Sequence, residues 1–85
     1  MKESMINIYK LSDELLVERD EDKREKIIKK LNKTIKKNLN DLLENSEERI
    51  DIEILQHPLT EDNYGYMIPR FMVIISRYFS KAVAA

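Results

Sequence analysis

Cysteine is absent from this 85-residue chain. That excludes disulfide staples, thiolate catalysis and cysteine-ligated zinc or iron–sulfur centres. One glycine and two prolines are too few for the many tight turns of an all-β fold. His57 is the single histidine, so no His-x-x-x-His metal pair exists. It stands before Pro58 at an expected helix end, where a capping or interface role fits better than catalysis. The longest apolar run, Phe71-Met72-Val73-Ile74-Ile75, falls far short of the ~20 residues that span a bilayer. No long apolar run follows Met1-Lys2-Glu3-Ser4, so the start does not read as a signal peptide and a cytoplasmic setting is expected.

A chain of this length has room for one domain, residues 1–85, with one core. It buries only about 60–65% of its unfolded surface, which keeps stability modest and makes self-association a natural route to more.

What the chain does have is charge, laid out in blocks. Residues 23–37 carry Lys23, Arg24, Lys26, Lys29, Lys30, Lys33, Lys36 and Lys37 against Glu25, a local balance of +7. Residues 38–62 reverse it to −7, with eight acids against Arg49. Residues 1–22 give −4 and residues 63–85 give +3, so the total of −1 conceals strong segregation. Segregation bears on which partners are attracted.

Hydrophobic spacing predicts an all-α fold, a small antiparallel bundle of three to four helices. Met5, Ile8, Leu11 or Ser12, Leu15 and Leu16 predict a helix over about 4–18, with Ser4 as its N-cap. Asp22 followed by Glu25 reads as a capping box opening a second helix over about 22–44. Along it Ile28, Leu31, Ile35, Leu39 and Leu42 form an apolar stripe roughly 80° wide. Lys26, Lys29, Lys30, Lys33 and Lys37 fall opposite, on the expected solvent face. Asn45 and Glu48 can cap a third helix over about 46–56. Ile50, Ile52 and Ile54 also alternate with Asp51 and Glu53 as a short strand would, but helix agrees better with the surrounding signals. His57-Pro58 ends that segment. Thr60 to Tyr66 reads as a loop, and Pro69 as the first residue of a last helix over about 69–82. That helix is apolar except for a strip of Arg70, Arg77 and Lys81, so it is the expected central packing element. Leu31, Ile35, Leu39, Ile75 and Phe79 are the expected core.

No convergent reactive set is visible, and no enzymatic activity, metal or cofactor is expected. The acids have charged or polar neighbours in sequence, which suits a solvated face rather than perturbed, paired carboxylates. Thr60-Glu61-Asp62-Asn63 lacks the ligand spacing of a calcium loop. Gly65 stands apart from any phosphate-loop or dinucleotide pattern. Tyr64 and Tyr66, beside Gly65, either tuck over the end of the bundle or form an aromatic partner surface.

The chain as a whole, with Ile8-Tyr9-Lys10-Leu11 early, Lys30-Leu31-Asn32-Lys33 in the second helix and an apolar last helix after a loop, resembles the cytoplasmic immunity proteins that protect Gram-positive bacteria from their own small bacteriocins. The resemblance implies an antiparallel four-helix bundle with a protective role exerted through a membrane receptor complex. It carries no site residue across.

Three functions follow as expectations. The first is a protein-binding module, immunity-type in the form the resemblance implies, using Lys26, Lys29, Lys30, Lys33, Lys37, Tyr64 and Tyr66. The second is nucleic-acid association, in which roughly six to eight cations meet phosphates, although lysine dominates where base reading favours Arg, Asn and Gln. The third is a structural homo-oligomer in which opposite charge blocks pair between copies. An anionic membrane surface is a lesser alternative, because a peripheral helix needs large apolar residues free to insert.

Overall fold

A computed structural model describes residues 2–84; Met1 and Ala85, the ends of the expected 1–85 domain, lie outside the described residues. Five helices occur among them: α1 (Glu3–Val17), α2 (Glu21–Lys37), α3 (Leu39–Glu44), α4 (Arg49–Leu55) and α5 (Tyr64–Ala84). No strand is present among the described residues, so the Ile50–Ile54 segment is helical. The all-α class stands, and the count of three to four helices is corrected to five.

The extra helix comes from a break in the expected 22–44 element at Asn38. Its side-chain amide donates to the Thr34 carbonyl at 2.8 Å, and its side-chain oxygen accepts from the Ser4 hydroxyl at 2.9 Å. Asn38 is buried and its backbone leaves helical geometry, at φ −115° and ψ 21°. A side chain that bonds its own preceding turn competes with the helical ladder. The ladder resumes at once, with the Leu42 N–H reaching the Asn38 carbonyl at 3.1 Å.

α5 also departs from expectation, starting five residues before Pro69. Thr60 and Asn63 cap each other: the Thr60 N–H donates to Asn63 Oδ1 at 2.7 Å, and the Asn63 N–H to Thr60 Oγ1 at 3.3 Å. This reciprocal pair launches the helix at Tyr64, leaving only a turn over 61–63 where a longer loop was expected. Pro69 therefore lies inside the helix. Its missing N–H leaves the Gly65 carbonyl without its usual donor.

The expected caps shift by similar small steps. Asp20, not Asp22, caps α2, accepting the Asp22 N–H at 3.0 Å. Ser4 lies inside α1 and bonds Asn38 instead of capping. Glu48 precedes α4 without a side-chain cap bond, and Asn45 closes α3.

α1 packs against both α2 and α5, while α3 and α4 close the remaining side of α5. Ser4 at the start of α1 meets Asn38 beyond the end of α2, so these two run antiparallel. The Tyr9 and Phe79 rings meet at a tilt of 54°, 6.1 Å between centres, tying the middle of α1 to the late part of α5. The core gathers Met5, Ile8 and Leu15 from α1, Leu31 and Ile35 from α2, Leu42 from α3, and Met67, Ile68, Phe71, Ile74 and Ile75 from α5. Leu39 and Phe79, also expected there, are half-buried and packed against it.

Candidate functional site

Two charged regions stand out, and they behave oppositely. The first is buried. Asp51 opens α4 between two exposed isoleucines, Ile50 and Ile52, yet is itself 0% exposed. Its Oδ1 accepts from Arg70 Nη2 at 2.6 Å and Arg70 Nε at 2.9 Å, while Oδ2 faces Arg77 Nη1 at 3.3 Å. Arg70 and Arg77 are seven residues apart on α5, so both project from the same side of that helix. Glu48 also meets Arg70 at 3.2 Å, and Glu47 meets Arg77 at 3.7 Å. The hydrogen bond to Asp51, opposed by desolvation, raises the Arg70 guanidinium further above its ordinary value. The expectation of a solvated Asp51 is corrected: this carboxylate fastens α4 to α5, and Arg70 and Arg77 hold it rather than forming a free polar strip.

Neighbouring segments are held the same way. Asn32 clasps the loop before α5 with two bonds, donating to the Leu59 carbonyl at 2.9 Å and accepting the Leu59 N–H at 2.8 Å. Arg24 meets Glu61 at 2.7 Å and donates to the Arg19 carbonyl at 2.7 Å. Its guanidinium is raised chiefly by the bond to Glu61. Lys2 pairs with Asp41, which raises its ammonium above the ordinary 10.5.

Taken together, these pairs neutralise most of the acidic block. Asp41, Glu47, Glu48, Asp51, Glu53 and Glu61 each have a cationic partner within 4 Å. Almost none of those cations comes from α2. Among the described residues of the basic block, only Arg24 and Lys29 meet a carboxylate, the latter Glu25 at a loose 3.9 Å.

The remaining lysines, except Lys36, which lines a separate groove, make up the second region. Lys23, Lys26, Lys30, Lys33 and Lys37 recur at three- and four-residue steps and are all exposed. Beside them runs a furrow between α1 and α2. One stretch, about 440 Å³, is lined by Asn7, Lys10, Leu11, Lys30, Lys33 and Thr34. The next, about 190 Å³, shares Leu11 and Lys30 and adds Glu14, Lys23, Lys26 and Ile27.

Of the residues singled out by sequence, Lys26, Lys30 and Lys33 share this furrow. Lys37 is exposed one turn further along the stripe, and Lys29 lies outside the lining and pairs with Glu25. Tyr64 and Tyr66 are not brought together with the lysines or with each other. Two residues apart on α5 they point some 200° apart; Tyr64 packs on the core and Tyr66 is exposed. Sequence reasoning missed Lys10 and Lys23 as members of the group. Lys23 belongs to the same helical stripe, whereas Lys10 joins only through the packing of α1 on α2.

Among the described residues no cluster of three or more His, Cys, Asp or Glu side chains could hold a metal ion. His57 is exposed at the edge of a separate groove with Ile35, Leu39 and Leu55. No helix is long and apolar enough to cross a membrane among the described residues. No protein-family model, curated protein or solved structure matches this chain. What the fold and surface define is a class: a small helical bundle, sheet-free among the described residues, in which most acids of the 38–62 block are paired within the fold while the α2 lysines face solvent.

Proposed function

We propose that this protein is a non-enzymatic binding module that docks an acidic surface of another protein onto the α1–α2 lysine face. The observation that carries the reading is the uneven pairing of charge. Folding neutralises most of the 38–62 acids with cations from outside α2, and leaves Lys23, Lys26, Lys30 and Lys33 without carboxylate partners among the described residues, beside a furrow. An exposed single-sign field accelerates encounter with an opposite one and selects among partners. A protective, immunity-type role is the form of this reading that the resemblance implies.

A second copy of the chain fits the same face less well. Six of the eight acids of the 38–62 block that would meet its lysines are already engaged by Lys2, Arg24, Arg49, Arg70 and Arg77. A nucleic-acid backbone is uniformly anionic and meets Glu14 as well as the lysines, whereas a protein surface can place a neutral or basic residue opposite it.

The test is affinity capture from the native host with wild type and Lys26/Lys30/Lys33→Glu in parallel, each with and without nuclease. A defined polypeptide held by wild type, kept after nuclease and lost from the variant, supports the reading. Nuclease-sensitive capture, with affinity falling steeply between about 50 and about 200 mM salt, transfers the face to nucleic acid. Recovery of the protein alone at fixed stoichiometry favours the homo-oligomer.

A further inference from the structure

We infer that the α1–α2 furrow receives an acidic amphipathic helix of the partner, lying along α2. This rests on the protein-docking reading above and names the partner's chemistry. Lys23, Lys26, Lys30 and Lys33 are spaced by three, four and three residues, the spacing at which a helix presents one edge. Carboxylates repeated at the same spacing on an adjacent helix can face them in register. From Lys23 to Lys33 the rise is about 15 Å, roughly three helical turns.

The furrow offers more than charge. Leu11, half-buried against the core, forms most of an apolar floor between the lysines, with a small contribution from Ile27, itself 5% exposed. Lys10 stands on the α1 bank across from Lys30 and Lys33, so that end is cationic from both sides. An apolar edge flanked by acids therefore meets both features of the furrow. A phosphate backbone would use the charge and gain nothing from the floor.

Glu14 sets a direction. It lines the stretch shared with Lys23 and Lys26, whereas the stretch with Lys10, Lys30 and Lys33 has no acid in its lining. The partner's acids should be densest at the Lys10–Lys33 end, with a neutral or basic residue opposite Glu14. Such a short helix is marginal alone in water, so it should gain structure on binding.

The experiment uses the full chain and labelled peptides of about 16 residues, enough to cover the furrow with a turn to spare. One peptide places Glu at three- and four-residue steps beside a leucine edge. A second scrambles the same composition, and a third replaces the leucines by serine. Fluorescence anisotropy at about 150 mM salt should show the first binding at least ~10-fold tighter than either control, a difference of about 1.4 kcal/mol. Its circular dichroism should gain helix on binding, and Lys26/Lys30/Lys33→Gln should weaken it ~10-fold or more while keeping the free protein's own spectrum.

Equal binding of patterned and scrambled peptides would overturn the proposal by reducing the site to net charge. So would tighter binding of a single-stranded oligonucleotide of matched charge that displaces the peptide. Absence of peptide binding overturns the helix proposal alone if host capture still yields a lysine-dependent polypeptide. If capture fails too, the protein-docking reading falls with it.

Discussion

Asp51 and Arg70, nineteen residues apart in the chain, meet at 2.6 Å with the carboxylate wholly removed from solvent. The two sides of this contact are unequal. The Arg70 and Arg77 side chains are 28% and 24% exposed, so each reaches water or a glutamate if Asp51 is lost. Asp51 has no such outlet. Removing both arginines strands a carboxylate without its charge partners in the core, whereas removing the carboxylate leaves cations that can turn outward.

The asymmetry yields an ordering of stabilities. Arg70→Met with Arg77→Met should lose about 3–5 kcal/mol, more than the roughly 1–3 kcal/mol expected for Asp51→Ala. Adding Asp51→Leu to the double variant should recover much of the loss, because an apolar replacement of a buried ionic group removes the unpaired charge. Urea denaturation of the three variants reads the order directly. If the double-arginine variant is the milder one, the carboxylate is not the constrained partner.

Two isoleucines, one from α2 and one beside Asp51 on α4, provide a second comparison. Ile35 belongs to the buried stripe of α2, whereas Ile52 is 41% exposed on α4. Ile35→Ala should cost roughly 2–4 kcal/mol, and Ile52→Ala should stay within ~0.5 kcal/mol as a surface change. Paired thermal or urea melts decide the point. A large loss at Ile52 would mean that this face is covered by something the free chain does not show.

How far this fold could be read from sequence depends on where each determinant lies. α1 and the apolar stripe of α2 were legible because Met5, Ile8, Leu15, Leu31 and Ile35 repeat at helical steps and are buried. The break at Asn38 was not, since it needs Ser4, 34 residues earlier, as a partner. The start of α5 had a local signal, Thr60 with Asn63, that was outweighed by Pro69, a residue more familiar at a helix's first position. Asp51 looked solvated because its partners lie 19 and 26 residues further on. At the candidate site the α2 lysines were legible from periodicity, and Lys10 was not. Tyr64 and Tyr66 looked like neighbours only while their segment was read as loop.

Lys2 offers a dependence on pH. Its pairing with Asp41 raises the ammonium pKa above the ordinary 10.5. A group whose folded value is raised stabilises fully below its unfolded value and ceases to do so as pH rises through the folded one. The stability difference between wild type and Lys2→Gln should therefore be level from neutral pH up to about 10 and shrink above it. Because Lys2 is exposed, the difference should also shrink with added salt. Urea midpoints across that range check the sign. A difference that grows with alkalinity would contradict the pairing.

Pro69 works against its own element. It sits in the sixth position of α5, exposed, with buried Ile68 before it and buried Phe71 two residues after. A helix-interior proline costs about 3 kcal/mol relative to alanine, through the lost donor and a clash with the preceding turn. Part of that is offset because proline restricts the unfolded chain, by about 0.4–1 kcal/mol. Gly65, whose carbonyl lies four residues earlier, has open space around it, so the first turn can adjust without a side chain in the way. Pro69→Ala should accordingly stabilise the protein, by about 1–3 kcal/mol, and protect the amides of the first α5 turns in hydrogen exchange. Destabilisation instead would show that proline sets the backbone path which buries Met67 and Ile68, both at 3% exposure or less. Gly65→Ala in the Pro69→Ala background separates the two outcomes: it adds helix propensity of about 1 kcal/mol if the turn is regular, and adds nothing if the turn is held in another shape.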